Sequence, residues 1–81
     1  MLQLTEDFHN KRGKVLIEHG LWGKQAFRCE ALNMINDDTR IGVRIDGHDI
    51  FVFKNDIILC KLHERMLQIA DRSLTITVIY E

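Results

Sequence analysis

The chain has 81 residues, 46% of them hydrophobic and 28% charged, and its formal net charge at pH 7 is −1. That length allows one domain with one modest core, and the apolar share excludes an intrinsically disordered chain. The near-neutral balance excludes the overall basic charge of a strong nucleic-acid binder but leaves room for a local basic patch.

There is no proline, so the five glycines, helped by Asn and Asp, carry the turns. The opening MLQLTEDFHNKR lacks the basic start and apolar run of a secretory leader. No apolar stretch approaches the roughly 18 residues that span a bilayer. The expectation is a cytoplasmic chain with no membrane partner, in which Cys29 and Cys60 are reduced thiols. His9, His19, His48 and His63 are scattered without metal-ligand spacing, so neither a metal nor a cofactor is expected.

In chain order, Met1–Leu4 alternates like the start of a strand. Thr5 to Gly13 then reads either as a short helix, with Thr5 as its cap and Gly13 as a left-handed stop, or as an extended turn. Lys14–Glu18 is a compact apolar run that suits a buried strand, followed by a glycine-punctuated loop from His19 to Lys24. Ala26–Ile35 alternates through Phe27, Cys29 and Ala31, then changes phase to Leu32 and Met34, which predicts a β-bulge. Asn36–Asp38 is a turn.

The clearest element is a hairpin from Arg40 to Phe53, because Asp46-Gly47 is the preferred dipeptide of a two-residue type I′ turn. Its register sets Arg44 opposite Asp49, Val43 opposite Ile50, Gly42 opposite Phe51, Ile41 opposite Val52 and Arg40 opposite Phe53. Ile41, Val43, Ile50 and Val52 then face the core, while Arg40, Arg44, Asp49, Phe51 and Phe53 face outward. Two outward phenylalanines beside two arginines are read either as covered by a second layer or as a contact surface. After the hairpin, Asn55 can cap a helix to about Asp71, striped by Ile58, Leu59, Leu62, Met66, Ile69 and Ala70. Alternatively, Met66–Ala70 pairs with the strongly β-prone end Leu74–Tyr80 through a turn at Asp71–Ser73.

Enzyme constellations are weak, and no catalytic residue is assigned. The carboxylates Asp37, Asp38, Asp46 and Asp49 sit in or beside turns, Cys29 reads as a small core hydrophobe, and the Gly20–Lys24 stretch lacks P-loop spacing. Basic residues interleaved with aromatics are more suggestive: Trp22 beside Lys24, and Phe51 and Phe53 beside Arg40, Arg44 and Lys54. That mixture suits phosphate contact with base stacking, and equally a solvated surface.

Two segments resemble the carbon storage regulator family of small RNA-binding proteins. Met1-Leu-Gln-Leu-Thr5 is similar to that family's opening. Arg40-Ile-Gly-Val43, followed by Asp49-Ile-Phe-Val-Phe-Lys-Asn-Asp-Ile57, is similar to its later segments. The resemblance implies a strand-swapped homodimer that occupies a single-stranded mRNA loop, with Leu4, Thr5, Val52, Phe53, Lys54 and Ile57 along the RNA-facing edge. Glu6 and Asp7 stand where the family has basic residues. A second likeness joins Gly13–Lys24 to the first strand and loop of SH3-like barrels such as the KOW module, and the general shape to Sm-like barrels.

The resulting expectation is a mainly β domain: a small, strongly bent antiparallel sheet or partly open SH3-like barrel with one or two short helices. Functionally the first expectation is a non-catalytic, RNA-binding post-transcriptional regulator that occupies a single-stranded mRNA loop; the alternative is an SH3-like protein-interaction module or an inhibitor of a larger protein. The candidate contact residues are Leu4, Thr5, Trp22, Lys24, Arg40, Arg44, Phe51, Val52, Phe53 and Lys54.

Overall fold

Alternation of apolar and polar residues along most of the chain is satisfied by seven antiparallel strands in the computed structural model, which describes residues 8–81. They are β1 (Lys11–His19), β2 (Gly23–Asn36), β3 (Arg40–Ile45), β4 (His48–Phe53), β5 (Leu59–His63), β6 (Met66–Ala70) and β7 (Leu74–Tyr80). They form one open sheet in the order β4-β3-β2-β1-β7-β6-β5. A single 3₁₀ turn, Lys54–Asp56, links β4 to β5.

That link joins the two outermost strands. Seven strands laid flat would hold their edges roughly 29 Å apart at the usual inter-strand spacing. The six steps from Phe53 to Leu59 reach about 20 Å at most. The sheet must therefore coil, and the domain measures 30 × 28 × 22 Å, far thicker than a single flat layer. β2 makes the bend. Its first part pairs with β1 and its last residues, Leu32–Asn36, pair with β3. Between the pairs Lys11–Leu32 and Gly13–Cys29, β1 advances two residues and β2 three. This is the bulge expected from the phase change at Ala31–Leu32, and the extra residue sharpens the local twist.

Coiling closes the concave face into the core. Val15, Leu32, Ile41, Val43, Val52, Leu67, Ile69, Ile76 and Val78 are buried there, and each full burial of a large apolar side chain is worth about 1.5–3 kcal/mol. Phe8 plugs one end, stacked on Tyr80 with ring centroids 4.6 Å apart, while its carbonyl accepts from the Met34 N–H at 2.8 Å.

The mainly β, strongly bent sheet agrees with the sequence reading; the helices do not. Lys11–Gly13 belong to β1, and Gly13 is a strand residue rather than a left-handed stop. Thr5 itself lies outside the described residues. The helix proposed from Asn55 to Asp71 is instead the 3₁₀ turn followed by the β5–β6 hairpin, with Leu59 opposite Ala70 and His63 opposite Met66. The alternative pairing of Met66–Ala70 with Leu74–Tyr80 is present. Asp71 shapes its turn, accepting from the Ser73 and Leu74 N–H groups, each at 2.8 Å.

The hairpin register is the one read from the sequence, from Ile45–His48 to Arg40–Phe53. Asp46 and Gly47 both adopt positive φ, 47° and 81°, as a type I′ turn requires. Gly42 is held by contact rather than by torsion: a Cβ there would lie 2.1 Å from the Ile50 carbonyl oxygen and 2.5 Å from the Phe51 Cα. Both neighbours are backbone and cannot step aside. Gly42→Ala is expected to destabilise the domain by about 1–3 kcal/mol, the usual cost of overpacking, read as a lowered urea midpoint with an unchanged m-value.

Candidate contact face on the outer side of the hairpin

On the side of β3 and β4 that faces away from the core, alternation places Arg40, Gly42 and Arg44 beside Phe53, Phe51 and Asp49. β2 contributes Asn33 and Ile35, which pair with Arg44 and Gly42. Ile35 is buried without belonging to the main core cluster. A second, small apolar cluster therefore sits on the outer face around Gly42, where the strands approach too closely to admit a side chain.

The aromatic pair lies on this cluster. Phe51 and Phe53 meet edge to face, with centroids 5.4 Å apart and planes at 84°. That geometry suits the ring quadrupoles. Phe51 is half-buried, but Phe53 remains 53% exposed, so no second layer formed by the described residues covers the face.

The charges on the face are tied down. Arg40 lies over Phe51 with its guanidinium carbon 4.9 Å from the ring centroid. Its Nε donates to Asp37 Oδ2 at 2.9 Å, and a terminal nitrogen lies 2.8 Å from the same oxygen. Arg40 also approaches Asp49 at 4.0 Å. Arg44 forks onto Asp49, with Nε to Oδ1 at 2.6 Å and a second bond at 3.1 Å. Asp37 is further fixed by accepting from the Thr39 and Arg40 N–H groups at 3.0 and 2.7 Å. The Arg40 side-chain hydrogen bond, followed by these backbone bonds, lowers the Asp37 carboxyl to about 2. The bond from Arg44 likewise lowers Asp49, and Asp49 in turn raises Arg44. Two arginines matched by two aspartates make a face that is aromatic and close to neutral.

The structure thus brings Arg40, Arg44, Phe51 and Phe53 together. Lys54 adjoins them: it opens the 3₁₀ turn, and its N–H donates to the Thr39 carbonyl at 2.8 Å. Val52 points the other way and is buried in the core. Trp22 and Lys24 lie elsewhere, because β3 pairs only with the last residues of β2, whereas Lys24 stands at the start of that 14-residue strand and Trp22 in the turn just before it. There Trp22 is 82% exposed and leans on His19, with ring centroids 5.1 Å apart. Its neighbour Leu21 is 85% exposed. A shallow notch of about 200 Å³ lies under this tip, lined by Ile17, His19, Trp22, Gly23, Gln25 and Leu74. Leu4 and Thr5 lie outside the described residues.

Sequence reasoning treated Asp37 only as a turn residue and missed its grip on Arg40. The Asp37-x-x-Arg40 spacing across a predicted turn was the available signal. No three His, Cys, Asp or Glu residues gather as metal ligands among the described residues. Cys29 and Cys60 are unbridged, and burial raises both thiols. No helix among the described residues is long and apolar enough to cross a membrane. No protein-family model, curated protein or solved structure matches the chain, so the face is read from its own residues.

The carboxylates give the face a pH signature. Asp37 has a folded pKa of about 2, below its ordinary 3.8, so its contribution is complete above the ordinary value and is lost as pH falls through the folded one. Urea midpoints measured down the acid limb should fall between about pH 4 and 2, and that fall should be shallower in Asp37→Asn. An identical acid slope in the variant would mean that other carboxylates carry the acid sensitivity.

Proposed function

We propose that the chain is a non-catalytic binding module that holds a protein partner on the outward face of the β3–β4 hairpin. The observation that carries this reading is the uncovered Phe51–Phe53 pair, set in a frame of arginines already satisfied by Asp37 and Asp49. Exposed aromatics held in one geometry lose little entropy on binding and contribute strongly to protein interfaces. Arginine fixed over an aromatic ring and pinned by carboxylates is likewise a preorganised contact.

The same geometry weakens the RNA alternative. Affinity for a phosphate backbone comes from cations that replace condensed counterions. Arg40 and Arg44 already have carboxylate partners, whose negative charge offsets the attraction these arginines offer a phosphate. Among the described residues Lys54 has no ion pair on this face, and one lysine supplies little of that driving force.

Peptides selected from a random display library against the full chain provide the direct test. Binding should weaken at least about tenfold in Phe53→Ala, the effect of an interfacial hot spot. It should change little between about 0.05 and 0.2 M salt. Selected peptides indifferent to Phe53→Ala would move the site elsewhere. A short RNA hairpin with GGA in its loop is the matched probe. Micromolar binding that collapses with salt and is lost in Lys54→Glu would replace this reading with the RNA-regulator one.

A further inference from the structure

The open sheet has two edges, β4 and β5, and they differ in kind. Exposed edges carry unpaired N–H and C=O groups, and proteins commonly blunt them with lysine, proline, a bulge or shortness. β5 is five residues long and has Lys61 at its centre. β4 reads His-Asp-Ile-Phe-Val-Phe, with no lysine or proline, and its pairing with β3 runs unbroken over all six residues. It is a regular edge whose one charged side chain, Asp49, is held by Arg44 of the neighbouring strand.

Its bonding phase is set by the ends of the hairpin. The two-residue turn makes Ile45–His48 a hydrogen-bonded pair, and the Lys54 N–H to Thr39 bond closes the other end in the same phase. Alternation then directs the backbone groups of Asp49, Phe51 and Phe53 away from β3. No other described strand pairs with β4.

We infer that β4 is a self-pairing edge, and that two copies of the chain join β4 to β4, antiparallel, about a two-fold axis at Phe51. Antiparallel pairing centred there sets Asp49 opposite Phe53 of the second copy and Phe51 opposite its own equivalent, which gives about six inter-chain backbone hydrogen bonds. Charge supports this register. Across the joined face, Asp49 has Arg44 of its own chain on one side; on the other, beyond Phe53 of the second copy, stands that copy's Arg40. Moving the axis two residues toward the turn, from Phe51 to Asp49, would instead set Asp49 directly against Asp49, a destabilising like-charge pair. Sliding the other way leaves little of the strand paired. On the core side, half-buried Ile50 meets Val52 of the second copy and gains cover. Four phenylalanines then form one continuous surface. The isologous geometry closes at two copies and removes the open edge. The inference stands on the edge itself and not on the proposed protein partner: a chain that stays monomeric can still bind a selected peptide through Phe53.

Proline at Phe53 is a selective probe. Phe53 has φ −78°, within proline's range, and its N–H serves no bond to β3. Proline there removes a donor needed only between chains, whereas Phe53→Ala keeps that donor. In sedimentation equilibrium from about 5 to 200 µM, the full chain is expected to approach twice its 9.5 kDa. Phe53→Ala should remain dimeric. Phe53→Pro should dissociate with an at least tenfold higher dimer Kd and an unaltered far-UV circular dichroism spectrum. In the wild type, amide exchange at Asp49, Phe51 and Phe53 should slow as concentration rises, a readout that needs no variant. A wild type that stays monomeric throughout overturns the inference. So do a dimer untouched by proline, equal loss in both variants, concentration-independent exchange at those amides, or masses above two chains.

Discussion

The link from Phe53 to Leu59 is the constraint on which the rest of the structure depends. A short segment tied to both edges of a seven-stranded sheet leaves the sheet no choice but to coil. Coiling gives this small chain an interior: a flat sheet would leave both faces wet, whereas the coiled one buries its concave face around Val15, Ile41, Leu67 and Ile76. The bulge in β2 supplies the bend locally, so one strand serves both halves of the fold. Sequence, turn and core are consistent here, as a funnelled landscape requires.

The convex side inherits the residues that the core does not take, and on the hairpin these are not a neutral remainder. At Gly42 the strands approach too closely for a side chain, Phe51 lies against it, and Phe53 and Arg40 build on Phe51. Asp37 and Asp49 then fix the arginines in place. Each contact is weak alone, since exposed ion pairs are worth little. Their effect is geometric, because they hold one arrangement of aromatic and charged groups in readiness. A preorganised, near-neutral aromatic surface suits a protein partner better than a polyanion, which rewards free charge.

Legibility in the sequence followed the strength of local turn chemistry. The β3–β4 register could be read residue by residue because Asp46-Gly47 admits essentially one tight hairpin geometry, and with it came the outward placement of Arg40, Arg44, Phe51 and Phe53. The β2 bulge was legible as a change of phase. The β5–β6 hairpin was not, because its turn contains no Gly, Asn or Pro; Glu64 adopts a φ of 51° with no sequence cue for it. With the turn hidden, Ile58, Leu59, Leu62 and Met66 matched a helical stripe as readily as two short strands. At the N-terminal end, local capping signals allowed a helix as readily as an extended turn, but Phe8 is needed against Tyr80 and Lys11–Gly13 are needed as β1. Tertiary packing outweighs a few tenths of a kcal/mol of propensity per residue. Whether Phe53 was covered could not be read from the sequence either, because cover depends on what packs across the sheet rather than along it.

The contrast between the two edges links fold and face. Coiling brings β4 and β5 close enough for one turn to connect them, yet it does not pair them, so the sheet stays open and both edges persist. Lys61 in the middle of β5 makes that edge costly to dock against, because a strand added there must accommodate a solvated ammonium. β4 carries its only charged side chain at Asp49, already engaged by Arg44, and its remaining outward side chains are aromatic. An edge so free of obstruction is an aggregation hazard in a monomer unless something specific takes it up. Self-pairing about Phe51 would use that hazard productively: it would satisfy the edge, fix the stoichiometry at two, and widen the aromatic face with the residues that frame it in each chain.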